Sequence, residues 1–157
     1  MQLDRRGLLR AVFRVVNRRI VVPGFQMGLG RIISNPITGK IMVLGIRGRK
    51  TGKIRYTPVS YARRDGKIYC YQGKETRGQW YLNILANPEV EVLLPQGRYS
   101  GRAEEIPEGT ERLEAMRLLL QGSGISRSMY GFDPATVTDE VLAEKTLGIP
   151  VIGIRLD

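Results

Sequence analysis

Residues 48–55 read Gly-Arg-Lys-Thr-Gly-Lys-Ile-Arg, so eight positions hold four cations, two glycines and a hydroxyl. A hairpin turn needs glycine where φ is positive, which accounts for Gly48 or Gly52. It does not account for Arg49, Lys50, Lys53 and Arg55 together, because like charges crowded on one turn repel unless an anion sits among them. The backbone N–H groups of residues 50–52, the Thr51 hydroxyl and the cations Arg49, Lys50 and Arg55 are the parts of an anion nest. The residue order is not that of the Gly-x4-Gly-Lys-Ser/Thr nucleotide loop. The plainer alternative is a solvated basic turn.

A second cluster follows at residues 72–83, QGKETRGQWYLN. Gly73 and Gly78 bound a polar loop carrying Lys74 and Arg77, and the loop leads into a helix bearing Trp80. Taken alone, Trp80 and Tyr81 read as core anchors. A polar loop at a strand end, beside a glycine-rich basic turn, favours a planar, anionic ligand.

Composition narrows the chemistry. The chain has no histidine, which removes Ser-His-Asp and Cys-His catalysis, the usual zinc sites and the ordinary general base near neutral pH. No metal site is expected. The single cysteine, Cys70, allows no intrachain disulfide, and its apolar surroundings mark it as a small core residue. Net charge is +10 and unevenly spread: residues 1–80 carry 18 Lys/Arg against 3 Asp/Glu, and residues 81–157 carry 7 against 12. The basic half should face an anionic partner. Specific nucleic-acid binding rests on charge alone, since no reading helix or aromatic RNA motif is present.

The elements that must position these residues follow from the periodicity. Residues 4–19 form a basic amphipathic helix, capped by Asp4, with Leu8, Ala11, Val12, Val15 and Val16 on one stripe. Val21-Val22-Pro23-Gly24 should stop it. Such a helix lies on an anionic membrane surface or packs on protein. It lacks the unbroken apolar region of a signal peptide, so the expected compartment is the cytoplasm, at the inner membrane face if the helix binds lipid. Residues 26–34 offer a short helix or a tight crossing. Strands are expected at 40–47, 54–63, 67–71, 89–94, 98–106 and 149–156, with a two-residue turn at Asp65-Gly66. Pro58 places its strand at an edge or a bulge and leaves backbone groups of Thr57 and Val59 for a ligand. Helices are expected at 79–86, 108–121 and 138–144. At 157 residues this is one domain: a basic helix over 1–20 and a core over 40–157. Its class is α+β, mainly β: about six mostly antiparallel strands in a small barrel with helices outside.

The stretch GRKTGKIRYTPVSYARRDGKIYCYQGKETRGQWYLNILANPEVEV resembles the deazaflavin-dependent nitroreductase family of split β-barrel, flavin-reductase-like oxidoreductases. The resemblance rests on the Gly-Arg-Lys-Thr-Gly-x-x-Arg turn, the Pro-containing second strand and the helix carrying Trp80, Tyr81, Asn83, Ala86, Asn87 and Pro88. It implies hydride transfer from reduced coenzyme F-420, a deazaflavin with a phosphate and an oligoglutamate tail, to an unsaturated or nitro-bearing organic acceptor. It implies that Arg49, Lys50, Thr51, Gly52 and Arg55 hold the phosphate and tail, and that Thr57, Pro58 and Val59 line the ring. It further implies that Gln72, Gly73 and Lys74 form a polar loop beside the ring, with Trp80 and Asn83 on the coenzyme side of their helix. Gln72 replaces the serine common in that loop. Tyr130 is the candidate proton donor or substrate contact. Flavin mononucleotide (FMN) is the alternative cofactor, since it also joins a phosphate to a planar ring. Split barrels of this kind often pair as homodimers, and a related subgroup with a basic N-terminal helix suggests a lipid-binding or lipid-reducing alternative.

Overall fold

The computed structural model describes residues 15–34, 39–73, 78–123 and 131–157. Among them, seven strands form one antiparallel sheet: β1 (Ile41–Arg47), β2 (Ile54–Ser60), β3 (Ala62–Arg64), β4 (Lys67–Tyr71), β5 (Glu89–Leu94), β6 (Gly97–Ile106) and β7 (Val151–Leu156). Their order is β2-β1-β5-β6-β7-β4-β3. The fold is thus mainly β, and the sheet curls as a half-barrel. Six strands were expected. The seventh arises because the 54–63 stretch breaks at Tyr61, whose N–H bonds to the Lys40 carbonyl at 3.1 Å. There the chain leaves β2 on one sheet edge and enters β3 on the other. Pro58 lies opposite Val43 on the edge strand, where its missing N–H costs no ladder bond if it points outward. The Asp65-Gly66 turn has φ of 50° and 77°, as a two-residue primed turn requires.

Three apolar clusters hold the fold. Inside the half-barrel, Met42, Leu44 and Ile46 of β1 meet Ile68, Cys70, Val92, Ile152 and Ile154. Helix α3 (Gln79–Ala86) adds Tyr81 and Ile84 to this cluster, with Trp80 and Leu82 packed against it. Over β3, β4 and β7, helix α4 (Thr110–Gln121) packs Ala115, Met116 and Leu119 with Leu142 of α5 (Asp139–Lys145). Thr138 caps α5 by accepting from the Val141 N–H. On the other face of β1, Val43 and Leu93 meet Val21, Val22 and Phe25. β1 is therefore buried on both sides, which is why KIMVLGIR reads as a nearly continuous apolar run.

The N-terminal segment departs from expectation. Much of the expected 4–19 helix lies outside the described residues. Beyond it, helix does not stop at Val21: a π-helical turn at Asn17–Val21 runs into α1 (Val22–Gln26). Pro23 sits at the start of α1, where a missing N–H is tolerated, and burial of Val22 and Phe25 favours continuation. A short α2 (Gly30–Ile33) follows. No helix among the described residues is long and apolar enough to cross a membrane.

Candidate functional site

The basic turn is a four-residue loop closed by two backbone bonds. Gly48 donates to the Lys53 carbonyl at 2.8 Å and Gly52 donates to the Gly48 carbonyl at 2.9 Å. Gly52 is the residue that needs positive φ, at 68°. At Gly48 φ is not positive, but a Cβ there would come within 2.7 Å of the Thr51 Oγ1 and would have to displace that hydroxyl. That Oγ1 accepts the Lys53 N–H at 3.3 Å. The cradle expected from residues 50–52 is accordingly narrower: the Gly52 N–H is engaged within the turn. The N–H groups of Lys50 and Thr51 have no partner among the described residues.

The cations divide into two sets. Arg47 donates to the Gly52 carbonyl at 2.8 Å and so builds the turn. Arg49, half-buried, donates to Asn83 Oδ1 from its backbone N–H at 3.2 Å and from its guanidinium at 2.7 Å. Lys50, Lys53 and Arg55 are exposed and form no ion pair among the described residues. Three free cations beside a fixed loop attract an anion through bulk solvent.

Asn83 therefore joins the two sequence clusters. It comes from α3, is 9% exposed, and accepts both Arg49 donors. One helical turn further on, Asn87 donates to the Arg47 carbonyl at 3.3 Å. Residues four apart share a helix face, so the Asn-x-x-x-Asn spacing is a clamp on the base of the turn. Asn83 was expected among coenzyme contacts; the structure places it against Arg49. Asn87 and Arg47 were not singled out as working residues, although the four-residue asparagine spacing was visible.

Trp80 is half-buried on the same helix and packs on the cluster that also receives Val59 of β2. Gln72 follows β4 directly, donates its backbone N–H to the Pro150 carbonyl at 3.0 Å, and is 8% exposed. Its Oε1 is buried with no hydrogen-bond partner among the described residues. Gly73 is exposed. Lys74 and Tyr130 lie outside the described residues. Thr57, Pro58 and Val59 run along the edge strand, and β2 passes close to β4 without pairing to it.

Acid–base groups near these elements are held neutral. Burial and a hydrogen bond to Glu105 push the Tyr81 hydroxyl up to about 12, and burial pushes the Cys70 thiol up to about 12. Burial also raises Tyr61. None of the three supplies a base near neutral pH. Among the described residues, no cluster of His, Cys, Asp or Glu could hold a metal ion. A cleft of about 900 Å³ lies on the outer face of β1, β5 and β6 and includes Arg47, Glu91 and Arg98. It contains neither Trp80 nor Gln72.

Comparisons with known proteins agree with the fold. Residues 18–126, more than half of the chain, match the model of the F-420H(2)-dependent quinone reductase family. An F-420-H2-dependent reductase of known structure is 26% identical, with a TM-score of 0.55 over 74% of this chain and 94% of its own. A chain solved as a domain-swapped dimer is 23% identical, with a TM-score of 0.56 over 88% of this chain and 96% of its own. A FAD-binding protein from Mesorhizobium loti is 21% identical, with a TM-score of 0.50 over 75% and 81%; these last two share the fold. The matched family gives the FMN alternative no support. The chain is an F-420-dependent oxidoreductase with the split-barrel fold, and it belongs to the F-420H(2)-dependent quinone reductase family.

Proposed function

We propose that this protein binds reduced F-420 with its phosphate and anionic tail on the 48–55 turn and its ring along the edge of β2, and passes a hydride to a conjugated, quinone-type acceptor. The observation that carries this reading is the Arg49–Asn83 junction, which fixes the basic turn to the helix bearing Trp80. The residues fit such a coenzyme. Lys50, Lys53 and Arg55 supply free positive charge, the N–H groups of Lys50 and Thr51 remain for a phosphate, and a buried acceptor on Gln72 awaits a donor.

When bound, reduced F-420 supplies the hydride. The chain's part is to bind, orient and exclude water. Lys50, Lys53 and Arg55 neutralise the tail. Thr57, Pro58 and Val59 offer the edge-strand backbone to the ring, and Trp80 supplies an apolar wall. After hydride transfer a quinone needs one proton to become the hydroquinone, and Tyr130 is proposed to deliver it to the acceptor oxygen, regaining a proton from solvent. Recovery of oxidised-coenzyme absorbance, when a quinone is added to protein and reduced F-420, tests the reading. Nitro and enone compounds run in parallel define the acceptor class. No reaction with any of them overturns it.

A second reading concerns place. Ile20 is 60% exposed and Met27 76% exposed; Arg18 and Arg19 share the π-helical turn with Ile20, and Arg31 lies on α2. Exposed apolar residues close in sequence to arginines suit the interface of an anionic bilayer, where an apolar acceptor would dissolve. Co-sedimentation with anionic but not neutral vesicles, lost in Ile20→Ser/Met27→Ser, is the expected result. Equal sedimentation of the variant rejects this second reading. A second copy of the chain is the protein partner proposed, in line with the dimeric relative, and light scattering decides it.

A further inference from the structure

β2 is held to the sheet less firmly than its neighbours. It pairs with β1 alone, and among the described strands it is the one that buries none of its residues. Alternation along the strand gives its two faces different surroundings. Val59 packs on the inner cluster together with Trp80, so Arg55 and Thr57 share that side. Tyr56 packs on the outer cluster with Val43 and Leu93. Its hydroxyl donates to Glu91 Oε2 at 3.0 Å, the one side-chain hydrogen bond made by β2 among the described residues. Glu91 stands on β5, two strands away. Gly45 of β1 lies between them, opposite Tyr56 on one side and Glu91 on the other. A Cβ at Gly45 would lie 2.8 Å from Tyr56 Cε1 and 3.1 Å from Glu91 Cβ. The tyrosine ring therefore crosses the bare backbone of β1. Arg98 of β6 holds the far end, with its Nε 2.8 Å from Glu91 Oε1, at ion-pair distance but without an aligned hydrogen bond. The result is a strap over four adjacent strands, β2-β1-β5-β6.

Taken alone, parts of this strap lower stability. Glycine inside a strand gives up packing and backbone entropy. A carboxylate with only 22% of its side chain exposed is partly desolvated. The outer face of an antiparallel sheet requires neither, since ordinary polar residues can face water there. Burial and the hydrogen bond to Glu91 raise the Tyr56 pKa, so its hydroxyl stays protonated and donates. What the strap secures is the edge whose other face lines the proposed coenzyme site. Resting on the F-420 reading above, we infer that Tyr56 and Glu91 are positioning residues for hydride transfer: from the outer face they hold β2 so that Thr57, Pro58 and Val59 keep the ring at a fixed distance from the acceptor. Both act through β2. The anionic tail is held separately, on the turn that Asn83 clamps through Arg49. Loosening the strap should therefore disturb the transfer geometry more than the affinity.

The test measures kcat at saturating reduced F-420 and quinone, the coenzyme dissociation constant and the melting midpoint, with kinetics at a temperature where every protein is folded. The proteins are wild type, Tyr56→Phe, Glu91→Leu, Glu91→Gln and the double variant Tyr56→Phe/Glu91→Leu. Misplacing reacting atoms by about 1 Å can cost about a hundredfold in rate, and partial loosening should lower kcat by roughly tenfold in Tyr56→Phe and in Glu91→Leu. Coenzyme affinity should stay within a few fold. The double variant should be no slower than the slower single, because both changes remove one contact. Glu91→Gln keeps an oxygen for the Tyr56 hydroxyl and should recover most of the wild-type rate. Arg112→Met, which loosens α4 and the chain after α5 instead, should melt lower with kcat near wild type. A kcat within about twofold of wild type in both Tyr56→Phe and Glu91→Leu overturns the inference and leaves the F-420 reading standing. An equal fall of kcat in Arg112→Met does the same, since stability alone would then explain the loss. A wild type that neither binds nor oxidises reduced F-420 overturns that reading and the inference with it.

Discussion

Replacing Asn83 by leucine keeps the approximate side-chain volume and removes the acceptor shared by two Arg49 donors, at 3.2 and 2.7 Å. A neutral backbone bond contributes about 1 kcal/mol and one to a charged group about 1.5–3 kcal/mol. Arg49 is only half-buried, so water replaces part of the second bond, leaving a net loss of about 1.5–3 kcal/mol. If the ordered turn is what the coenzyme binds, this loss passes into affinity as roughly ten- to hundredfold weaker binding of F-420. The assay is a fluorescence titration with purified protein, with circular dichroism confirming the fold. Asn83→Asp keeps the shared acceptor and should bind within a few fold of wild type. A folded Asn83→Leu that binds as wild type does would refute the reasoning, because the junction would then hold the helix without organising the site.

Other outcomes follow from the same structure. Arg112, 3% exposed, donates to the Thr146 carbonyl at 2.5 Å and the Ile149 carbonyl at 2.7 Å; Arg112→Met leaves two carbonyls short of a donor and should cost about 3 kcal/mol in urea unfolding. Lys67 and the Tyr69 hydroxyl, both bonded to the Glu111 carboxylate, lower its pKa below 4.5. That stability is present above about 4.5 and lost as pH falls through the lower folded value, so Glu111→Gln should flatten the acid limb of a melting-midpoint profile below 4.5. Lys67 is raised by Glu111 and Glu104, so its share is present below 10.5 and fades only as pH rises through the higher folded value. Tyr130→Phe should lower turnover by roughly a hundredfold or more with coenzyme affinity unchanged, read from steady-state rates and titration together.

Strand positions were legible because they depend on local chemistry. The Asp65-Gly66 turn, the alternation in β5 and β6, and the apolar stripe of α4 each announce themselves within a few residues. The break at Tyr61 was not legible, since Tyr56 to Arg63 continues as a plausible strand. The interruption comes from sheet closure, which brings Lys40 to the Tyr61 N–H. The N-terminal helix misled for a similar reason. Pro23 signals a stop locally, but packing of Val22 and Phe25 on Val43 and Leu93 rewards a further turn. In the site, the charge of the 48–55 turn was visible and the division of labour within it was not. Arg47 and Arg49 are as basic as Arg55, and only the distance to Gly52 and Asn83 shows that they build the loop. Gln72 was visible as a departure from serine, whereas its orphan oxygen needed three dimensions.

The central claim is that the 48–55 turn holds the anionic part of F-420, and its most direct measurement is the dissociation constant of F-420 for wild type and Lys50→Ala across salt concentrations. The account predicts micromolar or tighter binding by wild type that weakens as salt rises. It predicts roughly tenfold weaker binding by the variant, with a shallower salt dependence because one cationic contact is gone. Equal affinity and equal salt dependence for the two proteins would contradict it.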